Sequence, residues 1–371
     1  MENKKIKVYL QYPWKFPDSP YYKYLINCPP KSISFDNAKK KGGAITNRRF
    51  FWLLIILKRK IRKLVKVMNI VIPNARLSPV GNYDLIHCCH CLSKNTNKPW
   101  VADIEMMGSF SMPFDQRSKT LEKVGKYLRS KNCKKILPWT KSIEKDILQS
   151  FPRFKEKIEV VYPAVPEIKN LKKPKNKNIK IIFIARYFGL KGGEVALEVL
   201  ERLRKKYNIE GIVVSDVPEK IKLKYPKIKI HGLVSQKELF KIMTSSDIFL
   251  YPSLMDTFGF SLLEAMSFGL PIITVDTNWT KSRKEIVEDG KNGFIFDIKE
   301  KMYSGELRRD KEIVIRKLVE NTSKLINDRN LREKMSKECI KTIKEGKFSM
   351  KNRNEKLDRI YKNALEYEKV Y

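Results

Sequence analysis

The stretch DIFLYPSLMDTFGFSLLEAMSFGLPIITVD (residues 247–276) decides the fold class. DIFLYPS (247–253) and LPIITVD (270–276) have the length and apolar content of buried strands, and SLLEAMSFG (261–269) has that of a short helix. A strand, a helix and a second strand with near-continuous apolar strands are typical of a parallel sheet covered on both faces. The stretch therefore predicts an α/β protein.

The same alternation extends in both directions. Strand-length apolar runs precede the stretch at 179–186, 211–216 and 227–233, and another follows at 293–296, with helical patterns over 192–207 and near 236–245. The N-terminal part repeats this organisation, with predicted strands at 6–12, 69–73, 84–88, 100–104, 134–139 and 157–163 and predicted helices over 48–68, 117–130 and 141–150. Two such series predict two doubly wound parallel-sheet, Rossmann-like domains facing across a cleft.

A linker separates the two series. Residues 163–180, PAVPEIKNLKKPKNKNIK, contain three prolines and many lysines and asparagines, with little apolar content. We therefore predict an N-terminal domain over 1–165 and a C-terminal domain over 166–347. Residues 333–371 are helical by pattern, and the last part, 348–371, has one apolar stripe. The sequence leaves open whether this helix crosses back to the first domain.

Length and composition indicate a globular protein. The chain has 371 residues, of which 42% are hydrophobic. No run reaches the ~18 apolar residues of a membrane span, and the N-terminal apolar run is too short for a secretory signal. We therefore expect a cytoplasmic protein whose six cysteines are reduced thiols.

The charge is strongly positive and uneven. The formal net charge is +36, and residues 1–100 contain 20 basic and 4 acidic residues. Such a surface attracts polyanions, including anionic lipid headgroups, phosphorylated substrates and nucleic acid. A lysine-rich composition that fills neutral surface positions explains the charge equally well.

Two turns in the second series carry candidate chemistry. Open parallel sheets bind ligands at the carboxyl ends of their strands, which is where the turn Asp256–Phe260 is predicted. Gly259 permits a close approach of the backbone to a ligand, and the helix that begins near Ser261 offers free N–H groups to a phosphate. Glu264 follows one turn into that helix, on the same side.

The second turn is ARYFGLKGGE (185–194), which follows the strand IKIIFIAR. Arg186 and Lys191 are predicted at the same sheet edge as Asp256. Two fixed cations in that position can neutralise a diphosphate. Each motif is weak alone; their order and spacing together make the interpretation specific.

Together these motifs resemble the retaining glycosyltransferases of family 4, also called group 1 glycosyltransferases, which have the GT-B fold. The family pattern is an acid, then Phe-Gly, then a second acid eight positions after the first, here Asp256, Phe258-Gly259 and Glu264. Its phosphate-binding Arg and Lys match Arg186 and Lys191. The resemblance covers 179–300 well and the first domain only faintly.

The resemblance implies a retaining hexosyltransferase that uses a UDP- or GDP-sugar as substrate, with no cofactor. Because Arg186, Lys191 and the helix N-terminus can stabilise the leaving diphosphate, and no Asp-x-Asp pair is near the proposed cleft, we expect no metal. The resemblance also implies that Asp256 holds sugar hydroxyls, that the amides around Phe258, Gly259 and Phe260 meet the sugar and diphosphate, and that Glu264 binds the ribose. Arg186 and Lys191 would stabilise the leaving diphosphate. The family usually has Glu where this chain has Asp256, which is one methylene shorter.

The first domain, implied to bind a glycan or lipid-linked acceptor, has weaker signals. Many family members have a His after an apolar strand there; the corresponding WVADIE contains none, so Asp103 and Glu105 are the candidates to orient or deprotonate the acceptor. The run HCCHC (87–91) invites a zinc interpretation, but adjacent ligands on one strand point to opposite faces. A buried strand with small thiols explains it better.

The segment 48–68 has two interpretations. RRFFWLLIIL followed by LKRKIRKLVK is consistent with a helix on an anionic membrane surface, which would make the protein peripheral at the inner face of the membrane. It is equally consistent with a helix that covers the sheet and exposes its basic side.

Alternative functions are a nucleotide-sugar epimerase of the same fold or a non-catalytic protein that binds polyanions. No recognition helix, zinc finger or RNP signature indicates nucleic acid as a partner.

Overall fold

Two sheets of parallel strands form the frame of the molecule. The structure is a computed structural model. It describes residues 5–11, 20–39, 57, 60, 61, 64, 67, 68, 70–112, 114, 117–169, 171–174, 176–278, 280, 282–298 and 307–366, and the side chains of all of these except 39 and 307–310. The chain divides into two compact units, Met1–Ala164 with Met350–Tyr371, and Val165–Ser349. Each unit contains one of the two sheets.

The first unit contains a five-stranded sheet and two small strand pairs. Its elements are β1 (Ile6–Gln11), α1 (Pro20–Asn27), β2 (Ile33–Ser34), β3 (Ile72–Pro73), β4 (Ala75–Leu77), β5 (Leu85–Cys89), β6 (Leu92–Lys94), β7 (Trp100–Ile104), β8 (Ser111–Met112), α2 (Ser118–Leu128), β9 (Cys133–Pro138) and α3 (Lys141–Ser150). The main sheet has the order β2-β1-β5-β7-β9 and is parallel throughout. Trp100 and Ile86 lie in its core, against Val124 of α2 and Ile147 of α3.

The second unit contains a six-stranded sheet. Its elements are β10 (Ile179–Ile184), α4 (Gly193–Lys206), β11 (Ile209–Val214), α5 (Glu219–Lys222), β12 (Lys229–His231), α6 (Gln236–Thr244), β13 (Ile248–Tyr251), α7 (Phe260–Ser267), β14 (Ile272–Asp276), α8 (Arg283–Ile286), β15 (Gly293–Asp297), α9 (Leu307–Asn327) and α10 (Arg329–Lys344). The order is β12-β11-β10-β13-β14-β15, again parallel. The predicted α/β class with two Rossmann-like sheets is therefore confirmed.

The strand order places a topological switch point beside β10. This strand pairs with β11 on one side and with β13 on the other. The connections that leave β10 and β13 therefore start side by side at the carboxyl edge, where open α/β sheets bind ligands. Both predicted turns, at 185–194 and at 256–260, begin at this point.

The C-terminal helix belongs to the first unit. The predicted helical stretch over 333–371 forms two helices, α10 and α11 (Met350–Glu366), and residues 367–371 lie outside the described residues. The apolar stripe of α11 is buried, including Leu357 and Ile360. Arg353, only 1% exposed, donates to the carbonyl oxygen of Cys28 at 2.6 Å.

One predicted strand is wrong. Residues 157–163 form no strand, and Ile158 makes only an isolated bridge to Ile136. The amides of Glu159 and Val161 donate to the carbonyls of Ile136 and Pro138, so the segment follows the edge of β9. Pro138 has no N–H to donate in return, which prevents a regular ladder there.

Most of the predicted helix over 48–68 lies outside the described residues. At the described positions Leu57, Ile61 and Leu64 the backbone is helical, and these side chains are 52%, 41% and 59% exposed. No helix in the described part of the chain is long and apolar enough to cross a membrane.

Candidate active site

The carboxyl edge of the second sheet brings two predicted site residues together. Nζ of Lys191, from the turn after β10, lies 3.0 Å from Oδ1 of Asp256, from the turn after β13. Nζ of Lys191 also donates to the carbonyl oxygen of Met255 at 3.0 Å. The side chains of Lys191 and Asp256 are 23% and 14% exposed, so the pair is accessible to a ligand.

Glycines make this approach of the two turns possible. Gly192 has φ +76°, and a Cβ atom there would lie 2.4 Å from the carbonyl oxygen of Pro252. A Cβ on Gly193 would lie 2.1 Å from the ring of Phe188. At Gly192 the backbone after β10 therefore lies directly on the end of β13, and at Gly193 it lies on the Phe188 ring of its own turn; both contacts require a residue without a side chain.

The second turn ends at a helix N-terminus. Gly259 has φ +102° and is the N-cap of α7, so the chain enters the helix through a left-handed residue. The dipole of α7 favours an anion at this end of the helix. The Phe258 ring is buried, with its centroid 4.9 Å from that of Phe260 and 6.2 Å from that of Phe348. This packing holds the turn in place while the backbone of Phe258 lies at the carboxyl edge of the sheet.

The remaining predicted donor-binding residues lie on the same two connections. Arg186 lies two residues after the end of β10 and is exposed. Glu264 lies on the second turn of α7 and is half-buried. Arg186, Lys191, Asp256 and Glu264 thus belong to the two connections that start at the switch point.

Two side chains near Asp256, those of Tyr251 and Arg283, are not predicted from the sequence. The hydroxyl of Tyr251, the last residue of β13, donates to Oδ2 of Asp256 at 2.7 Å. Arg283, 1% exposed, places its guanidinium 5.4 Å from the centre of the Tyr251 ring and donates to the carbonyls of Ser253 and Val275, both at 2.6 Å. Arg283 lies on α8, beyond β14, so no local motif connects it with Asp256.

The predicted acceptor-side residues lie at the carboxyl edge of the first sheet. Asp103 is on β7 and is completely buried. It accepts hydrogen bonds from the hydroxyl of Tyr22 at 2.7 Å and from the backbone N–H of His90 at 3.1 Å, and it lies 3.0 Å from Nε2 of His87. The sequence predicts that Asp103 orients or deprotonates an acceptor; in the structure its carboxylate lies completely buried among these three neighbours.

The pKa of Asp103 is lowered. Burial alone would raise this pKa. The neighbouring His90 and His87, and the hydrogen bonds from His87 and Tyr22, together lower the pKa by more than burial raises it. On its other side, Nδ1 of His87 lies 2.6 Å from the hydroxyl of Tyr361 on α11. A buried chain of hydrogen bonds therefore runs from the C-terminal helix to Asp103.

A histidine stands beside the predicted Glu105. Nε2 of His90 lies 3.7 Å from Oε2 of Glu105, and Nδ1 lies 3.5 Å from Oδ1 of Asp103. The two side chains are 18% and 22% exposed. His90 follows β5, whereas Glu105 follows β7, so only the parallel pairing of these strands reveals that the two residues are neighbours.

The zinc interpretation of HCCHC finds no support in the described residues. Cys88, Cys89 and Cys91 are completely buried, as a buried strand predicts. No three His, Cys, Asp or Glu side chains among the residues described form a group that could hold a metal ion.

Comparisons with known proteins point to one class of enzyme. Residues 165–309 match the family model described as "Glycosyl transferases group 1". An uncharacterised 41.2 kDa protein of the cps region of Klebsiella pneumoniae is 31% identical over 159 residues, which cover 39% of this chain and 43% of that protein. An uncharacterised glycosyltransferase of Haemophilus influenzae is 29% identical over 194 residues, 50% of this chain and 53% of that protein. The chain spans about half the length of the curated relatives it matches.

Solved structures extend the likeness to the whole fold. A glycosyltransferase from Rickettsia africae has a TM-score of 0.59 with 16% identity, and covers 97% of this chain and 99% of its own. Anabaena HepE, solved in complex with UDP-glucose, also has a TM-score of 0.59 with 16% identity, and covers 96% of this chain and 100% of its own. At this identity the likeness shows the fold, which is the two-domain GT-B architecture.

Proposed function

We propose that this chain is a family 4 glycosyltransferase that transfers a sugar from a nucleotide-diphosphate sugar. The observation that carries the proposal is the convergence of Lys191 and Asp256, 3.0 Å apart, at the switch point of a parallel sheet. The match of residues 165–309 to the group 1 model covers the same connections. A phosphate-binding cation and a sugar-binding acid side by side are what a nucleotide-sugar requires.

The assigned roles follow from charge. As the sugar leaves, negative charge grows on the diphosphate and positive charge on the sugar ring. Arg186, Lys191 and the N-terminus of α7 stabilise the diphosphate, with each such donor worth ~3 kcal/mol in a transition state. Asp256 binds sugar hydroxyls and Glu264 the ribose, while the backbone around Phe258–Phe260 contacts the sugar and diphosphate.

These groups supply the charge stabilisation that a divalent metal supplies elsewhere, so we propose a metal-independent reaction. We further propose retention of configuration, with a departing phosphate oxygen taking the proton of the acceptor hydroxyl. Activity that is unchanged in EDTA and a product with the donor's anomeric configuration by NMR are the expected results.

The acceptor side is assigned to Glu105 with His90. Both side chains are partly exposed at the carboxyl edge of the first sheet, and Asp103 fixes the backbone N–H of His90. The pair offers both a hydrogen-bond acceptor and a donor to a hydroxyl group of a glycan or lipid-linked acceptor.

An anionic membrane surface is the proposed location of a lipid-linked acceptor. The exposed apolar side chains of Leu57, Ile61 and Leu64 recur at helical spacing in a segment rich in Lys and Arg. Co-sedimentation with vesicles containing anionic lipid, and not with neutral vesicles, is the expected result. Binding to neither would leave the enzyme with an acceptor in solution.

Calorimetric titration with UDP and GDP tests the proposed function. We expect one saturable site for UDP or GDP, lost in Glu264→Ala and kept in the control Glu320→Ala, whose side chain is 68% exposed on α9. Slow hydrolysis of one member of a panel of labelled nucleotide-sugars then identifies the donor. Equal binding of any polyanion, unaffected by Glu264→Ala, would favour the charge-driven alternative, and interconversion of sugars without release of UDP or GDP would favour an epimerase.

A further inference from the structure

The carboxylate of Asp256 is fixed on both oxygens. Oδ1 accepts from the backbone N–H of Thr257 at 3.0 Å and lies 3.0 Å from Nζ of Lys191. Oδ2 accepts from the hydroxyl of Tyr251 at 2.7 Å. With donors on both sides, the carboxylate cannot rotate freely about its side-chain bonds.

Tyr251 is itself held in place. It is 2% exposed, and its ring stacks on Phe249 with centroids 5.7 Å apart and an angle of 18° between the planes. The buried guanidinium of Arg283 lies 5.4 Å from the centre of the Tyr251 ring. Thr274 donates to the carbonyl oxygen of Tyr251 at 2.7 Å, which fixes the backbone.

The Tyr251 hydroxyl acts as a donor at neutral pH. Burial raises the pKa of Tyr251, and the charge of Asp256 raises it further. The phenol therefore keeps its proton and donates a hydrogen bond to the Asp256 carboxylate.

We propose that Tyr251 is a positioning residue that aims Asp256 at the donor sugar; this rests on the proposed function. The aspartate carboxylate is one methylene closer to its backbone than a glutamate carboxylate would be. The shorter side chain of Asp256 places the carboxylate at the end of β13, where the hydrogen bond from the Tyr251 hydroxyl fixes its orientation. Tyr251 thus determines how well the sugar is placed, because its hydroxyl contacts the group assigned to the sugar.

Tyr251→Phe removes the hydroxyl and keeps the ring between Phe249 and Arg283. We expect kcat/KM for the nucleotide-sugar to fall about 10- to 100-fold, which corresponds to losing one hydrogen bond to a charged group. The Kd for UDP or GDP should stay within about two-fold, because the nucleotide groups are untouched. Tyr225→Phe is the matched control, since Tyr225 also donates to a carboxylate, Glu198, at 3.4 Å in the same unit.

A double-mutant cycle separates positioning from a general structural effect. If Tyr251 acts through Asp256, Tyr251→Phe should change kcat/KM less than about two-fold in an Asp256→Asn background. Asp256→Glu probes the same contact without altering the core, and we expect it to lose activity because the longer side chain leaves the Tyr251 hydroxyl. Melting temperatures of all variants identify any that fail to fold.

Three results would overturn the inference: equal activity of Tyr251→Phe and Tyr225→Phe, an equal loss from Tyr251→Phe in both backgrounds, or full activity of Asp256→Glu. A wild-type chain that binds neither UDP nor GDP and hydrolyses no nucleotide-sugar would instead overturn the proposed function, and this inference with it. The wild-type measurements therefore distinguish the two failures.

Discussion

Replacing Gly192 with alanine tests whether the turn after β10 must lie directly on the end of β13. Gly192 has φ +76°, and an added Cβ would lie 2.4 Å from the carbonyl oxygen of Pro252 and 3.0 Å from its carbonyl carbon. Both atoms belong to the backbone, so no side-chain rotation relieves the overlap. The two turns that carry Lys191 and Asp256 must therefore move apart.

The expected destabilisation has two parts. A left-handed backbone costs alanine ~1–2 kcal/mol. Forcing an extra carbon into a packed contact costs a further ~1–3 kcal/mol. Gly290→Ala isolates the first part, because Gly290 has φ +73° and its added Cβ would meet no atom within 4 Å.

Urea unfolding of the wild type and the two variants measures this difference. We expect the free energy of unfolding of Gly192→Ala to be ~1–3 kcal/mol below that of Gly290→Ala. We also expect Gly192→Ala alone to bind UDP or GDP more weakly, because it displaces Lys191 from Asp256. Equal free energies of unfolding for the two variants would refute the argument from the close contact.

Two further predictions concern buried polar groups. Tyr361→Phe removes the hydroxyl that lies 2.6 Å from Nδ1 of fully buried His87. We expect urea unfolding to show a free energy of unfolding that is lower by ~1–3 kcal/mol. An unchanged free energy would mean that this hydrogen bond does not hold α11 to the sheet. Burial lowers the pKa of Lys173 from 10.5 to about 8 in the folded protein. Between these two pH values Lys173 is protonated in the unfolded chain and neutral in the folded protein. Its contribution to the free energy of unfolding therefore rises with pH, by at most ~1.4 kcal/mol per pH unit. Lys173→Met should flatten that rise in urea titrations from pH 7 to 10, and an unchanged slope would contradict the assigned pKa.

Sequence patterns predict the sheets well because burial on both faces leaves an unambiguous signal. The strands IKIIFIAR and LPIITVD are near-continuous apolar runs, and both are found as parallel strands, Ile179–Ile184 and Ile272–Asp276. The run KIEVVYP has the same apolar content but no strand, because whether an edge segment completes a ladder depends on its partner, Pro138. Composition alone does not contain that information.

The sequence shows the candidate residues that follow the ends of strands, and it does not show which other side chains of the fold contact them. Asp256, Gly259 and Glu264 lie on one connection, and their spacing is visible in the sequence. Tyr251 donates a hydrogen bond to the Asp256 carboxylate, and Arg283 lies over the Tyr251 ring, but in the sequence they look like ordinary strand and helix residues. His90 meets Glu105 only because β5 and β7 are neighbours in the sheet, which depends on strand order.

A crystal structure of the chain with UDP or GDP bound tests the proposed donor site most directly. We expect the diphosphate beside Arg186 and Lys191 at the N-terminus of α7, with the ribose hydroxyls on Glu264. A nucleotide bound away from these three side chains would contradict the proposed site.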